Sequence, residues 1–296
     1  MTSATIEVRN LTVRYGSTVA VDDVSLDLPA DKIYGLLGRN GSGKTSLLSA
    51  LASFRRPSAG TIRFDGADAF ENPAVMHATC FIRDSLDASD SDRVCRVLSV
   101  ARWLRPTWDE TYAEKLVDLF ELPRKKSVGK LSRGQKSALG IVIGLASRAP
   151  LTILDESYLG LDAVARDVFY RELLADYLAR PRTIILSTHL IEEVADLFER
   201  VIILHRGRLL LHEETEALRG RGVTVTGPAA AVGDFAAGHT VLGDQSLGGT
   251  RALTLDWRPA PGDVARGEAA GLTFGPVGIQ DLFVHLTSQP SLEARR

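Results

Sequence analysis

Gly38-Arg39-Asn40-Gly41-Ser42-Gly43-Lys44-Thr45 is the stretch on which the fold class turns. It fits Gly-x-x-x-x-Gly-Lys-Ser/Thr, follows the short apolar run Ile33-Tyr34-Gly35-Leu36-Leu37 and leads into the helix-like Ser46 to Leu51. Glycines let consecutive backbone N–H groups turn inward around phosphates, and a helix N-terminus adds partial positive charge. In such a loop Lys44 reaches the outer phosphates and the Thr45 hydroxyl is placed to ligate Mg²⁺. Gly38 to Ser46 are therefore the expected nucleotide contacts. An ordinary glycine turn has no need of Lys and Thr directly after its last glycine.

A second stretch supplies what the loop lacks. Leu151-Thr152-Ile153-Leu154-Asp155-Glu156 is an apolar strand ending in two acids, at the sheet edge where phosphate-loop proteins hold metal and attacking water. Adjacent acids can divide the labour: Asp155 is expected to hold the metal-water shell and Glu156 to polarise the water that attacks the γ-phosphate. Alone, two acids at a strand end would read equally well as a solvated terminus.

Outward from these stretches, residues 4 to 37 read as strands, with Ile6 and Val8, and then Val24, Leu26 and Leu28, in alternation. Thr61 to Phe64 and Thr79 to Ile82 are further strands, whereas Asp92 to Leu104 and Asp109 to Leu122 carry helical spacing. From Ser132 the order is helix, strand 151–154, helix 163–179, strand 183–186, helix 189–198 and strand 201–204. Alternation of this kind predicts a parallel sheet covered on both faces. After about residue 220, Gly, Ala and short β-like stretches such as Val223 to Val225 and Ala252 to Leu255 take over, so a small C-terminal appendage spanning 220–296 is expected after a domain of 1–219. There is no internal repeat.

Composition narrows the partners. With 35 Lys+Arg against 37 Asp+Glu the net charge is -2, so no overall basic field draws the chain to nucleic acid or anionic lipid. Two cysteines, Cys80 and Cys95, suit a reducing compartment as buried thiols. Met1 to Thr5 carry no basic segment leading into an apolar stretch, which gives no sign of a leader. The longest nearly uncharged stretch, Ser137 to Ser147, is far short of the ~20 apolar residues of a spanning helix, so attachment to a membrane requires another chain.

Leu131-Ser132-Arg133-Gly134-Gln135, shortly before the carboxylate strand, resembles the Leu-Ser-Gly-Gly-Gln signature of the ATP-binding-cassette (ABC) family. The resemblance spans residues 4 to about 215 and implies an α/β fold, the P-loop NTPase of the ABC ATPase type, with a β-subdomain, a helical subdomain at about 85–135 and the C-terminal α+β appendage. Ser132 is a good helix N-cap and Gly134 leaves its N–H approachable, which together make a second phosphate site. The resemblance implies that Ser132, Gly134 and Gln135 act on the nucleotide of an opposite cassette, in a head-to-tail dimer enclosing two ATP. Arg133 replaces the usual glycine, either adding a cation near phosphate or pointing to solvent.

Other positions are similar to family elements. Tyr15 resembles the aromatic that stacks on adenine, although a strand tyrosine can equally be core. His189, after Ser187-Thr188, resembles the switch histidine that contacts the γ-phosphate and orients water. Asp162 resembles a loop acid acting across the dimer interface, or is a plain helix N-cap. Where the family has a glutamine touching Mg²⁺, Phe81-Ile82-Arg83-Asp84-Ser85 offers Asp84, as a metal ligand or an exposed loop acid. Ser157 stands where proline is common. A transporter motor fits a single cassette without a membrane span. A translation or repair ATPase usually carries two cassettes or a long insertion, and an inactive regulatory module should have lost Glu156 or His189. The tract Gly144 to Pro150 and the end Gly278 to Thr287 look like bacterial exporters whose motor and permease are separate chains, with an importer as the alternative. The implied location is the cytoplasmic face of the membrane, held by the permease.

Overall fold

The computed structural model describes residues 5–84, 88–189, 191–220 and 222–288. Met1 to Ala4, read above for a leader, Ser85, at the expected start of the helical subdomain, and Leu190, in the expected helix 189–198, lie outside the described residues. Two compact units divide the chain, Met1–His189 with Asp196–His212, and Leu190–Ala195 with Glu213–Arg296. The division falls ahead of the boundary that composition places at 220, because the shift to Gly and Ala starts only after a further short helix.

In the first unit β1 (Ile6–Tyr15) and β2 (Thr18–Leu28) form an antiparallel hairpin whose alternating residues are buried. Then follow β3 (Ile33–Leu37), α1 (Lys44–Leu51), β4 (Ala59–Phe64), β5 (Ala67–Asp68), α2 (Pro73–Ala78) and β6 (Thr79–Arg83). The helical stretch holds α3 (Val94–Leu104), α4 (Glu110–Leu119) and α5 (Arg133–Ala146). The chain returns through β7 (Leu151–Asp155), α6 (Ala163–Ala179) and β8 (Thr183–Thr188) and, after α7 (Ile191–Val194), which is counted with the second unit, through β9 (Arg200–His205) and β10 (Arg208–Glu214). Among the described residues the expected helix at 189–198 is one α turn followed by a 3-10 turn, Ala195–Leu197.

Two sheets result, one in the order β2-β1-β4-β5 and one in the order β10-β9-β3-β8-β7-β6. β9, β3, β8, β7 and β6 pair in parallel, and every residue of β3, β7 and β8 is buried, as expected for strands covered on both faces. One core joins the sheets through α1, with Val8, Leu26, Leu48, Ile153, Ile185 and Leu204 among its members. On the other side α5 lies close to β6 and β7: a Cβ on Gly144 would come within 3.0 Å of Leu154 Cδ2 and 3.1 Å of Ile82 Cγ1, so glycine permits the approach. Cys80 is buried in β6, whereas Cys95, in α3, is exposed and corrects the expectation of two buried thiols.

In the second unit α8 (Thr215–Arg219) precedes β11 (Val223–Pro228), α9 (Ala229–Phe235), β12 (Val241–Leu247), β13 (Thr250–Leu255), α10 (Pro261–Ala269), β14 (Thr273–Pro276) and α11 (Ile279–Ser288). The antiparallel order β12-β13-β11-β14 with this βαββαβ succession is a split βαβ arrangement. Val223, Val225, Val232, Leu253, Leu255 and Leu272 form its core with Phe235, Trp257 and Phe274. Ile279 and Leu282 of α11 are buried, and His285 Nδ1 lies 2.8 Å from the Leu242 carbonyl, which holds α11 to β12.

Candidate functional site: a phosphate loop facing a carboxylate pair

The loop between β3 and α1 is shaped by its glycines. Gly43, at the N-cap of α1, takes φ 104° with no side-chain cap, so the first N–H groups of the helix are left for an anion. A Cβ there would sit 2.3 Å from the Ala20 carbonyl oxygen, which excludes other residues twice over. Gly41 also has a positive φ, 78°. Ser42 N donates to Arg39 O at 3.0 Å, and Gly207 N donates to Ser42 O at 2.9 Å, tying the loop to the turn between β9 and β10. Nothing in the sequence pointed to Gly207, because its role comes from a remote backbone contact. Lys44 is buried; its ammonium donates to Gly38 O at 2.7 Å and lies 3.3 Å from Glu156 Oε1.

Strand register brings the other groups to the same edge. Leu37 pairs with Thr188, Asp155 with Ser187, and Arg83 with Asp155, so the ends of β3, β6, β7 and β8 present the loop, Asp84, the acid pair and His189 side by side. Burial pushes the Asp155 carboxyl above its usual range, while the Thr45 and Ser187 hydroxyls and the Lys44 ammonium pull it back. Among the described residues Asp155 Oδ1 is buried without a hydrogen-bond partner. Together with the Thr45 hydroxyl it offers two protein oxygens, which suits Mg²⁺, an ion that keeps several waters and takes the rest of its shell from substrate phosphates.

Glu156 adopts φ 51°, an uncommon conformation for a residue with a Cβ, and its N–H donates to Ser187 O at 3.2 Å. Its Oε1 is contacted from two sides, by Lys44 Nζ at 3.3 Å and by His189 Nδ1 at 3.5 Å. A cation, an imidazole and a carboxylate thus meet beside the anion-binding loop, an arrangement able to hold a terminal phosphate and take a proton from water.

The remaining expected residues surround this centre. Tyr15 ends β1, half-exposed, with its hydroxyl 3.5 Å from Ser46 Oγ, so it stands beside the loop. The Arg55 guanidinium stacks on its ring at 3.7 Å from the centroid, a partner that no sequence pattern revealed. Ser132 caps α5: its Oγ accepts from Gln135 N at 3.1 Å, and Gln135 Oε1 accepts from Ser132 N at 3.2 Å. Asp162 caps α6 by accepting from Ala165 N at 2.8 Å. Asp84 and Arg133, the two departures from the family pattern, face each other, with Arg133 Nη2 3.5 Å from Asp84 Oδ1.

A parallel sheet with a glycine loop on one strand and an acid pair on another, at one edge, defines a nucleoside triphosphatase of the phosphate-loop class. Residues 21–158 match the ABC transporter family. The chain is 31% identical over 204 residues to the ABC transporter ATP-binding protein YtrB of Bacillus subtilis (strain 168), covering 69% of this chain and 70% of that protein. It is 29% identical to the Nod factor export ATP-binding protein I of Burkholderia orbicola (strain AU 1054), over 98% of this chain and 99% of the relative. A solved ATP-binding subunit of an ABC transporter shares the fold, with a TM-score of 0.65 over 72% of this chain and 91% of that one, at 24% identity. The chain belongs to the ABC transporter family as an ATP-binding subunit, and it is an ATPase of that family.

Proposed function

We propose that the chain powers export of a solute through a separate membrane-spanning permease, working as one of two cassettes that close around two ATP. The observation that carries the catalytic part is the convergence of Lys44 and His189 on Glu156 Oε1. Arriving ATP draws Lys44 onto its outer phosphates and frees Glu156. Thr45 and Asp155, with Asp84 beside them, would hold Mg²⁺, which would supply positive charge to offset that of the phosphates. Glu156 then accepts a proton from the attacking water as its oxygen bonds to the γ-phosphorus and the bond to the β-phosphate oxygen breaks, releasing ADP and phosphate, while His189 steadies that water and the γ-phosphate. Ser132, Gly134 and Gln135, at an exposed helix start, serve the nucleotide of the partner cassette, with Asp162 at the same interface. Tyr15 takes the adenine.

Several features support the rest of the reading. The relative spanning nearly the whole chain is named for export. Among the described residues no helix is long and apolar enough to cross a membrane. On α3, Trp103 is 85% exposed and Val100 and Leu104 lie open beside it, an apolar face suited to a permease. In this reading the motor works at the cytoplasmic face of the membrane, held there by the permease, with residues 1–219 as the cassette and 220–296 as its appendage. Glu156→Gln removes the base but keeps the shape, so it should bind ATP and accumulate as a closed dimer in size-exclusion chromatography. Normal turnover by Glu156→Gln would overturn the assignment.

A further inference from the structure

The Tyr15 ring is held in place by a residue that the reaction scheme above leaves out. Arg55 follows the C-terminal end of α1, where its N–H donates to Ser49 O at 3.1 Å. Its guanidinium carbon lies 3.7 Å from the Tyr15 ring centroid, and Nη2 donates to Arg14 O at 2.6 Å. The Arg14 N–H donates in turn to Ser58 Oγ at 3.0 Å, so the segment carrying Arg55 grips the backbone before Tyr15 through both of its polar groups. Tyr15 as a whole is 45% exposed, and its hydroxyl lies 3.5 Å from the hydroxyl of Ser46, two residues past Lys44.

We propose that Arg55 is a positioning residue for base recognition: it covers one face of Tyr15 and pins the strand beneath it, leaving the opposite face as a preset platform for the planar base of the nucleotide. The proposal rests on the reading of Tyr15 as the adenine contact. A half-exposed tyrosine at a strand end would otherwise sample several rotamers and lose that freedom on binding. A guanidinium stacked behind it removes part of this cost in advance and adds a cation–π contact. The stack reads the flat face of an aromatic heterocycle rather than its hydrogen-bonding edge. Arg55 therefore contributes to the base and leaves the triphosphate to the loop.

Affinities of the full chain for ATP and for inorganic triphosphate, taken together, separate these contributions. Arg55→Ala should weaken ATP binding about three- to fivefold, the equivalent of an exposed cation–π contact, and leave triphosphate binding unchanged. Arg55→Lys, which keeps the charge but loses the planar fork, should fall between Arg55→Ala and the parent chain. Tyr15→Ala should lower the ATP-to-triphosphate ratio at least as far. If Tyr15→Ala lowers the ratio and Arg55→Ala does not, the role of Arg55 is refuted while that of Tyr15 stands. If Tyr15→Ala leaves the ratio unchanged, Tyr15 is not the base platform and both assignments fall. Equal loss of ATP and triphosphate binding in Arg55→Ala would mark a distorted loop and also overturn the proposal.

Discussion

Asp176 is a buried carboxylate of the first unit paired with two arginines. It lies in α6 with its carboxylate 2% exposed, 2.7 Å from Arg182 Nη1 and 3.0 Å from Arg148 Nη2. Arg148 has a second acid, Asp109, at 3.5 Å, and stacks over the Tyr112 ring at 5.0 Å. Among the described residues Arg182 shows no second acid: its side chain is 4% exposed and its ion pair is with Asp176. Asp176→Ala therefore strands a buried guanidinium, a loss of about 3–5 kcal/mol, most of which is the desolvated charge left behind rather than the worth of the pair. Removing both charges tells a different story. Asp176→Leu with Arg182→Met fills the space with apolar atoms and should restore most of the loss, since exchanging a buried ion pair for well-packed hydrophobic residues is often neutral or better. Urea denaturation of the three proteins measures this. A double variant no more stable than Asp176→Ala would refute the reasoning, because the cost would then lie in shape and not in an unpaired charge.

Two further predictions concern the nucleotide edge. Lys44→Ala removes the ammonium that bridges Gly38 O and Glu156 Oε1, and at about 1.5–3 kcal/mol for a charged hydrogen bond it should weaken ATP binding at least tenfold in equilibrium titration; unchanged affinity would refute the phosphate-loop role. Asp84→Gln restores the residue type usual in the family and releases Arg133, whose pair with Asp84 is open to solvent and worth at most about 1 kcal/mol, so the melting temperature should hold while the Mg²⁺ concentration for half-maximal ATPase shifts. Identical Mg²⁺ dependence would remove Asp84 from the metal shell.

What was legible in the sequence follows from how local each feature is. β3, β7 and β8 are buried along their whole length and so appear as plain apolar runs, and the phosphate loop announces itself through residues that touch one another. α2 passed unnoticed although Asn72 caps it and Pro73 opens it, because six residues are too few to show a period. β12 gave no strand signal, since Val241 to Leu247 is largely polar and exposed; its pairing with β13 makes it a strand.

The site divides along the same line. Each of Lys44, Glu156 and His189 sits in a recognisable tract, yet the meeting of Lys44 and His189 at Glu156 Oε1 depends on the positive φ of Glu156 and on the registers of β7 and β3 against β8, none of which a linear pattern contains. Asp84 and Arg133 make the point most directly. In the sequence they are two unrelated departures on separate elements, one an extra negative charge beside ATP and the other a stray cation in the signature. In the fold they stand 3.5 Å apart, each offsetting the charge that made the other look out of place. If Asp84 stands at the edge of the nucleotide site as proposed, the start of α5 offers it a solvent-screened counter-charge. This is also why Arg133→Gly alone should shift the Mg²⁺ dependence in the direction opposite to Asp84→Gln.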